Sequence, residues 1–293
     1  MFRPEWPPEE LLDFARGAER DGFDELWVVE DCFLAGGPTM AASALAVTST
    51  IGVGIGLLPV VMRNPAVAAM EIAGVARMHP GRFAVAFGHG VEGWMRQIGA
   101  RPPDRLVALE ETVDAVRRLL AGETLSVEGR HVRLDDVTLA HVPDPAPPVL
   151  IGTTGPRALE IAGRVADGFL LPEGSSPAAV SWASGIAGGR ACAYAWLSID
   201  DDRDAAAEAL RPGLEHWLRM GLYPRLFELA GVGESMSQDA VRSMAVAGDP
   251  EDCALAIRSL WEAGAESVAL VPRHEDRAAQ VARVAADVMP LLR

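Results

Sequence analysis

The 293-residue chain contains no lysine; all 26 of its basic residues are arginine. Chemistry that depends on a lysine amine is therefore closed to it. A Schiff-base aldolase, a pyridoxal-phosphate enzyme and a P-loop nucleotidase all fall under that exclusion. Cysteine is scarce too. Cys32, Cys192 and Cys253 are odd in number and widely spaced, which fits a reduced cytoplasm and matches no zinc-ligand spacing. The six histidines (His79, His89, His131, His141, His216 and His274) include no HxH or HExxH pair, so a metal-dependent hydrolase is disfavoured and no metal site is expected. Positive charge is in deficit. A net charge of −15 argues against nucleic acid or an anionic membrane as partner. No window reaches the ~18 uninterrupted apolar residues of a membrane span, and no signal peptide is read at Met1-Phe2-Arg3-Pro4. A cytoplasmic enzyme acting on a small molecule is the expectation.

What the chain has is a large apolar fraction, 49%, enough for an extensive core. Strand-like apolar runs occupy residues 25–29, 51–58, 83–87, 148–152, 168–171, 191–197 and 267–271, with helical stretches between them. Leu106, Leu109, Val113, Val116 and Leu120 mark one face of the longest helix. Asn64-Pro65 and Asp249-Pro250 read as helix openings, with Thr154-Gly155-Pro156 a similar start. Asp252 stands where a capping box places its acid. Three helix exits, at 18–23, 162–169 and 263–268, each end in glycine and feed an apolar strand. Strand alternating with helix predicts a parallel sheet. If residues 1–3 add a first short strand the count is eight, which predicts an α/β fold, a (β/α)8 TIM barrel with insertions forming a single domain over 1–293. A small hairpin is expected within 124–147, at 125–127 and 131–134. The interval 198–248 is expected to hold helical pieces around 204–219 and 223–230, followed by a Gly/Ser-rich stretch.

The segment most suggestive of chemistry is 80–99. An apolar run, Phe83 to Phe87, ends in Gly88-His89-Gly90, and Trp94 follows. Glycines at the end of a buried strand let backbone approach a bound group closely. His89 adds a titratable ring with a reference pKa near ~6.5, and Trp94 a large flat surface. Together they suit the rim of a planar cofactor, with His89 as an acid or base near neutrality. The plainer alternatives are a strand end with one solvated histidine and a core tryptophan. Gly152-Thr153-Thr154-Gly155-Pro156-Arg157 combines the free N–H groups of a helix start, hydroxyls and a guanidinium, which together favour an anion; an ordinary capped turn is the alternative. Arg63, Arg96 and Arg157 are candidates for a local basic surface.

These residues resemble the bacterial luciferase-like monooxygenase superfamily, and within it the branch of oxidoreductases using the deazaflavin coenzyme F420. The resemblance rests on AERDGFDELWVVED (18–31), IGVGIGLLPVVMRNP (51–65), the 80–90 segment, LEETVDAVRRLLAG (109–122), PVLIGTTGPRALEIAGRVADG (148–168) and 247–250. It implies a (β/α)8 barrel, a homodimer, and an F420-dependent hydride transfer to or from a small organic substrate. The alternatives are an FMN-dependent monooxygenase or a non-catalytic barrel subunit. It also implies a cofactor site. The ring would lie at the ends of the strands carrying Glu30-Asp31, Ile55-Gly56-Leu57 and Gly88-His89-Gly90, beside Trp94. A non-proline cis peptide, placed at Ile55–Gly56, would form a bulge behind it. The phosphate would sit on Gly152, Thr153, Thr154, Gly155 and Arg157. Many relatives carry a histidine where this chain has Asp31, so catalysis is assigned to His89, Asp31 or Glu30, with only one of the two adjacent acids facing inward. Sugar-phosphate dehydrogenases of the family place a glutamate directly after the Gly-x-Gly. Here that residue is Val91, with Glu92 next, which argues against glucose-6-phosphate as substrate.

Overall fold

A computed structural model describes residues 1–233, 236–272 and 277–293. Ten strands are assigned: β1 (Glu25–Val28), β2 (Gly52–Pro59), β3 (Phe83–Gly88), β4 (Leu125–Glu128), β5 (Arg133–Val137), β6 (Val149–Gly152), β7 (Gly168–Leu171), β8 (Arg190–Ile199), β9 (Ala245–Gly248) and β10 (Ser267–Pro272). Eight belong to one sheet, in the order β1-β2-β3-β6-β7-β8-β10 with β9 also on β8, while β4 and β5 form a separate antiparallel hairpin.

The count of eight holds, but its membership differs from the sequence reading. Residues 1–3 form no strand. Phe2 N–H donates a single bond of 2.9 Å to the Trp27 carbonyl, too little for a ladder. The eighth strand is β9, which pairs in parallel with β8 from Trp196↔Ala245 to Ile199↔Gly248. Four residues bounded by a short helix and an Asp-Pro helix start offer too little periodicity to be read as a strand.

By compactness the chain divides into two units, one comprising residues 2–152 and 157–169, the other Met1, 153–156 and 170–293. In the first, β1, β2, β3 and β6 pair in parallel, Trp27 opposite Gly54, Ile55 opposite Val85, and Ala86 opposite Leu150. Its helix Arg105–Leu120 buries Leu109, Val113, Val116 and Leu120. Full burial of each such side chain contributes roughly 1.5–3 kcal/mol. Leu106, read as part of the same face, is half-buried. Helix Pro65–Met78 opens as expected, with the Asn64 side chain accepting from Ala66 N–H.

In the second unit, β8 also pairs with β10 from Ser267↔Cys192 to Pro272↔Leu197. The interval after β8 holds helices Arg203–Arg219, Pro224–Leu229 and Gln238–Ser243. Part of its Gly/Ser-rich stretch, residues 234–235, lies outside the described residues, as does His274. Asp249 caps helix Pro250–Glu262 by accepting from Asp252 N–H at 2.9 Å. The reciprocal half of the capping box does not form: the Asp252 carboxylate takes Arg203 instead. Of the three helix exits, Gly22 and Gly264 adopt positive φ, +85° and +111°. The third closes differently. Asp167 N–H donates to the Val149 carbonyl while the Asp167 carboxylate accepts from Val149 N–H and from Arg117, so a side chain does there what a left-handed glycine does elsewhere.

Candidate active site

Strand β2 loses register with β3 between Gly56 and Leu58, leaving Leu57 bulged out of the ladder. The non-proline cis peptide lies within this bulge at Gly56–Leu57, one bond beyond the position expected from the sequence; a second joins Cys32 and Phe33. The displacement alters the reading of the site. Ile55 is 0% exposed and contributes to the core, against Gly37, where an added Cβ would come within 2.8 Å of it. Leu57, half-buried, is the residue that projects.

Where Leu57 projects explains two glycines. A Cβ on Gly88 would lie 2.5 Å from Leu57 Cδ2 and 3.0 Å from the Gly152 carbonyl oxygen. A Cβ on Gly152 would again lie 2.5 Å from Leu57 Cδ2. The ends of β3 and β6 are therefore bare because one leucine lies across both. The sequence reading reserved that space at Gly88 for a bound group; the structure gives it to Leu57, and the leucine itself becomes the half-exposed apolar pad. Gly90 behaves as expected: φ is +66°, and a Cβ there would meet Pro59 at 2.9 Å.

His89, between these glycines, is half-buried. Burial, and secondarily the positive charge of Arg105, push its pKa down to about 4. The ring is thus neutral at pH 7. Sequence alone suggested a group titrating near neutrality; the tertiary setting instead leaves an uncharged imidazole suited to accepting a hydrogen bond. Trp94 sits in helix Glu92–Gln97 and is half-buried, whereas its neighbour Met95 supplies the core contact of that helix. The core-tryptophan alternative does not hold.

The two acids after β1 separate clearly. Glu30 is 4% exposed. Arg63 grips it in two bonds, Nη1 to Oε1 at 2.5 Å and Nη2 to Oε2 at 2.8 Å, and Gly37 N–H donates to Oε2 at 2.8 Å. Arg63 Nε also donates to Glu71 at 2.9 Å. The bond to Glu30 raises the Arg63 pKa above the usual arginine value. A carboxylate held this way has three donors fixed on its two oxygens. Glu30, a catalytic candidate in the sequence, is thus the buried partner of Arg63, which the sequence offered as a surface cation. Asp31 is half-exposed and remains the acid candidate beside His89.

At 152–157, Thr153 Oγ1 accepts from Gly155 N–H at 3.1 Å, closing a short turn before helix Pro156–Val165. Thr153, Thr154 and Gly155 are half-buried and Arg157 is exposed. Beyond Gly90, helix Glu92–Gln97 starts an arginine cluster that sequence reading missed. Glu92 is approached by Arg96, Arg101 and Arg105 at 3.5, 3.3 and 3.4 Å; of the three, only Arg96 stood out in the sequence. No group of metal-ligating side chains occurs among the described residues, and no helix there is long and apolar enough to cross a membrane.

Known proteins place this geometry in context. The model of the luciferase-like monooxygenase family matches residues 3–267. The F420-dependent glucose-6-phosphate dehydrogenase of Nakamurella multipartita is 27% identical, over 98% of this chain and 93% of its own. The 5,10-methylenetetrahydromethanopterin reductase of Methanolobus tindarius is 25% identical over 91% of each chain. Among solved structures, an F420-dependent secondary alcohol dehydrogenase in complex with an F420–acetone adduct superposes with a TM-score of 0.80 at 24% identity, covering 99% of this chain and 96% of that one. An FMN complex of the oxygenating constituent of 3,6-diketocamphane monooxygenase from Pseudomonas putida gives 0.75 at 18% identity, covering 98% and 94%. The fold is the α/β (β/α)8 barrel with insertions that the strand count predicted. A match spanning nearly the whole sequence settles the family: this chain belongs to the luciferase-like monooxygenases.

Proposed function

We propose that the protein is an F420-dependent oxidoreductase that moves a hydride between the deazaflavin and a small organic substrate. The observation that carries this reading is the end-to-end similarity to F420-dependent dehydrogenases and reductases. The residues present fit such a coenzyme. Leu57 offers an apolar pad over Gly88 and Gly152, His89 an uncharged ring, and Trp94 a half-exposed indole. Gly56, Leu57, Gly88, Gly90 and Trp94 would hold the ring, and Gly152, Thr153, Thr154, Gly155 and Arg157 the phosphate. When bound, the deazaflavin donates or accepts hydride and reacts little with oxygen. The chain's own residues bind, orient and exclude water, and positioning supplies most of the rate.

His89, neutral at pH 7, accepts a hydrogen bond from a substrate hydroxyl at a ring nitrogen. Asp31 is assigned as the acid–base group. Two features argue against glucose-6-phosphate as substrate: Val91 stands where an acid is expected, and Glu92 is engaged by three arginines. We place the protein in the cytoplasm as a homodimer. The latter is supported by the exposed Val67, Met70 and Met78 on helix Pro65–Met78.

Titration of F420 fluorescence against the protein tests the reading, with FMN in parallel and Arg157→Ala as control. Micromolar F420 binding, weakened in the variant, is expected. Tight FMN binding with oxygen-dependent turnover would replace the proposal with a flavin monooxygenase.

A further inference from the structure

Three guanidiniums surround Glu92, and none is held firmly. Arg96, Arg101 and Arg105 approach its carboxylate at 3.3–3.5 Å, with side chains 70%, 59% and 41% exposed. Among the described residues no other carboxylate pairs with any of them. Asp104, next to Arg105 in sequence, is occupied by Leu106 N–H, Val107 N–H and Arg130. One carboxylate facing three cations leaves an excess of two positive charges, on a chain whose net charge is −15. The cluster begins directly after the Gly88-His89-Gly90 end of β3, and Arg105 is near enough to His89 to disfavour its protonation. Each guanidinium keeps most of its five donors free in a fork that matches carboxylate and phosphate oxygens.

We infer that Arg96, Arg101 and Arg105 form a recognition site for a multiply charged oxyanion, a carboxylate or phosphate group, with Glu92 holding the arginines in place until the anion arrives. The inference deepens the proposed function: the anion belongs to the substrate or to the coenzyme's anionic tail. Glu92 serves as a competitor that the ligand displaces. This gives the site an unusual signature, because removing the acid should strengthen binding while removing the arginines weakens it.

The test uses the whole protein with citrate and pyrophosphate as probes by calorimetry. F420 and its tail-free riboside, which lacks both phosphate and tail, are followed by fluorescence. Loss of two guanidiniums in Arg96→Gln/Arg101→Gln is expected to weaken the bound anion about tenfold, equivalent to about 1.4 kcal/mol. Glu92→Gln is expected to tighten it several-fold, a change of sign that a poorly folded variant would not produce. If F420 weakens in the double variant while the riboside does not, the anionic part of the coenzyme, its phosphate and tail, is the ligand. If F420 is unchanged but citrate or pyrophosphate weakens, the anion is the substrate's. If neither deazaflavin binds the unmodified protein, the cofactor assignment fails while the citrate and pyrophosphate readings still decide the cluster. Equal affinities of all three proteins for every probe, or no measurable binding of any, would overturn the inference.

Discussion

Glu30 and Glu92 are both glutamates that follow a strand of the same compact unit and meet arginine, yet they do opposite things. Glu30 is buried, takes two bonds from Arg63 at 2.5 and 2.8 Å and a third from Gly37 N–H. Glu92 is half-exposed and shares three arginines at 3.3–3.5 Å. Burial explains the difference. Away from water an acid persists only if every lone pair is met, so its partners are fixed and its removal leaves a stranded charge. At the surface the same attraction is screened, and side chains retain freedom to turn toward another anion. The buried pair holds the loop after β1; the exposed cluster is free to recognise.

The largest effect should come from breaking the buried pair. Arg63→Ala is expected to lower stability by about 3–5 kcal/mol, because it leaves Glu30 charged and unpaired; a urea titration measures it. A loss below about 1 kcal/mol would mean water already reaches Glu30, since that is the range of exposed pairs.

His89 comes next. Its folded pKa is depressed from 6.5 to about 4, so between those values the unfolded chain binds a proton that the folded chain does not. Its contribution is intact above about pH 6.5 and is lost as pH falls toward 4, by at most about 3 kcal/mol. His89→Gln should therefore flatten the stability–pH curve in that window relative to the unmodified protein. Unchanged slopes would show that the ring is protonated in the native state.

A Gly88→Ala substitution should cost about 1–3 kcal/mol, as overpacking does, because the methyl meets Leu57 and the Gly152 carbonyl. Adding Leu57→Ala should recover part of that loss, and thermal melts of the single and double variants give the coupling. No recovery would show that the carbonyl contact, not the leucine, sets the requirement for glycine. Smallest of all, Glu92→Gln should change stability by no more than about 0.5 kcal/mol. A larger change would mean the cluster supports the fold and would blur the contrast with Glu30.

Much of this was legible beforehand. Periodicity located seven of the eight sheet strands, and Asn64 and Asp249 announced their helices through an accepting side-chain oxygen followed by proline. The site was legible only as segments. Gly88, Gly90 and Leu57 were singled out, but which glycine makes room for what was hidden. That depends on Leu57 reaching across from β2 to β3 and β6. Likewise Glu30 and Asp31 looked equivalent until Arg63, thirty-three residues away, took one of them. The arginine cluster went unread because Arg101 lies in an unpatterned segment and Arg105 only opens the next helix, and it is the path of the chain after β3 that gathers them on Glu92.

Composition and local pattern by themselves determined what this protein is not, where its helices and most of its strands lie, and that one segment, around His89, departs from plain core. They suffice because amine chemistry needs a lysine, and because apolar periodicity and helix caps act between near neighbours. Three matters were left to the tertiary structure: which acid is buried, the protonation of His89 and the sharing of Glu92. Each is set by desolvation and by charges brought close from distant parts of the chain.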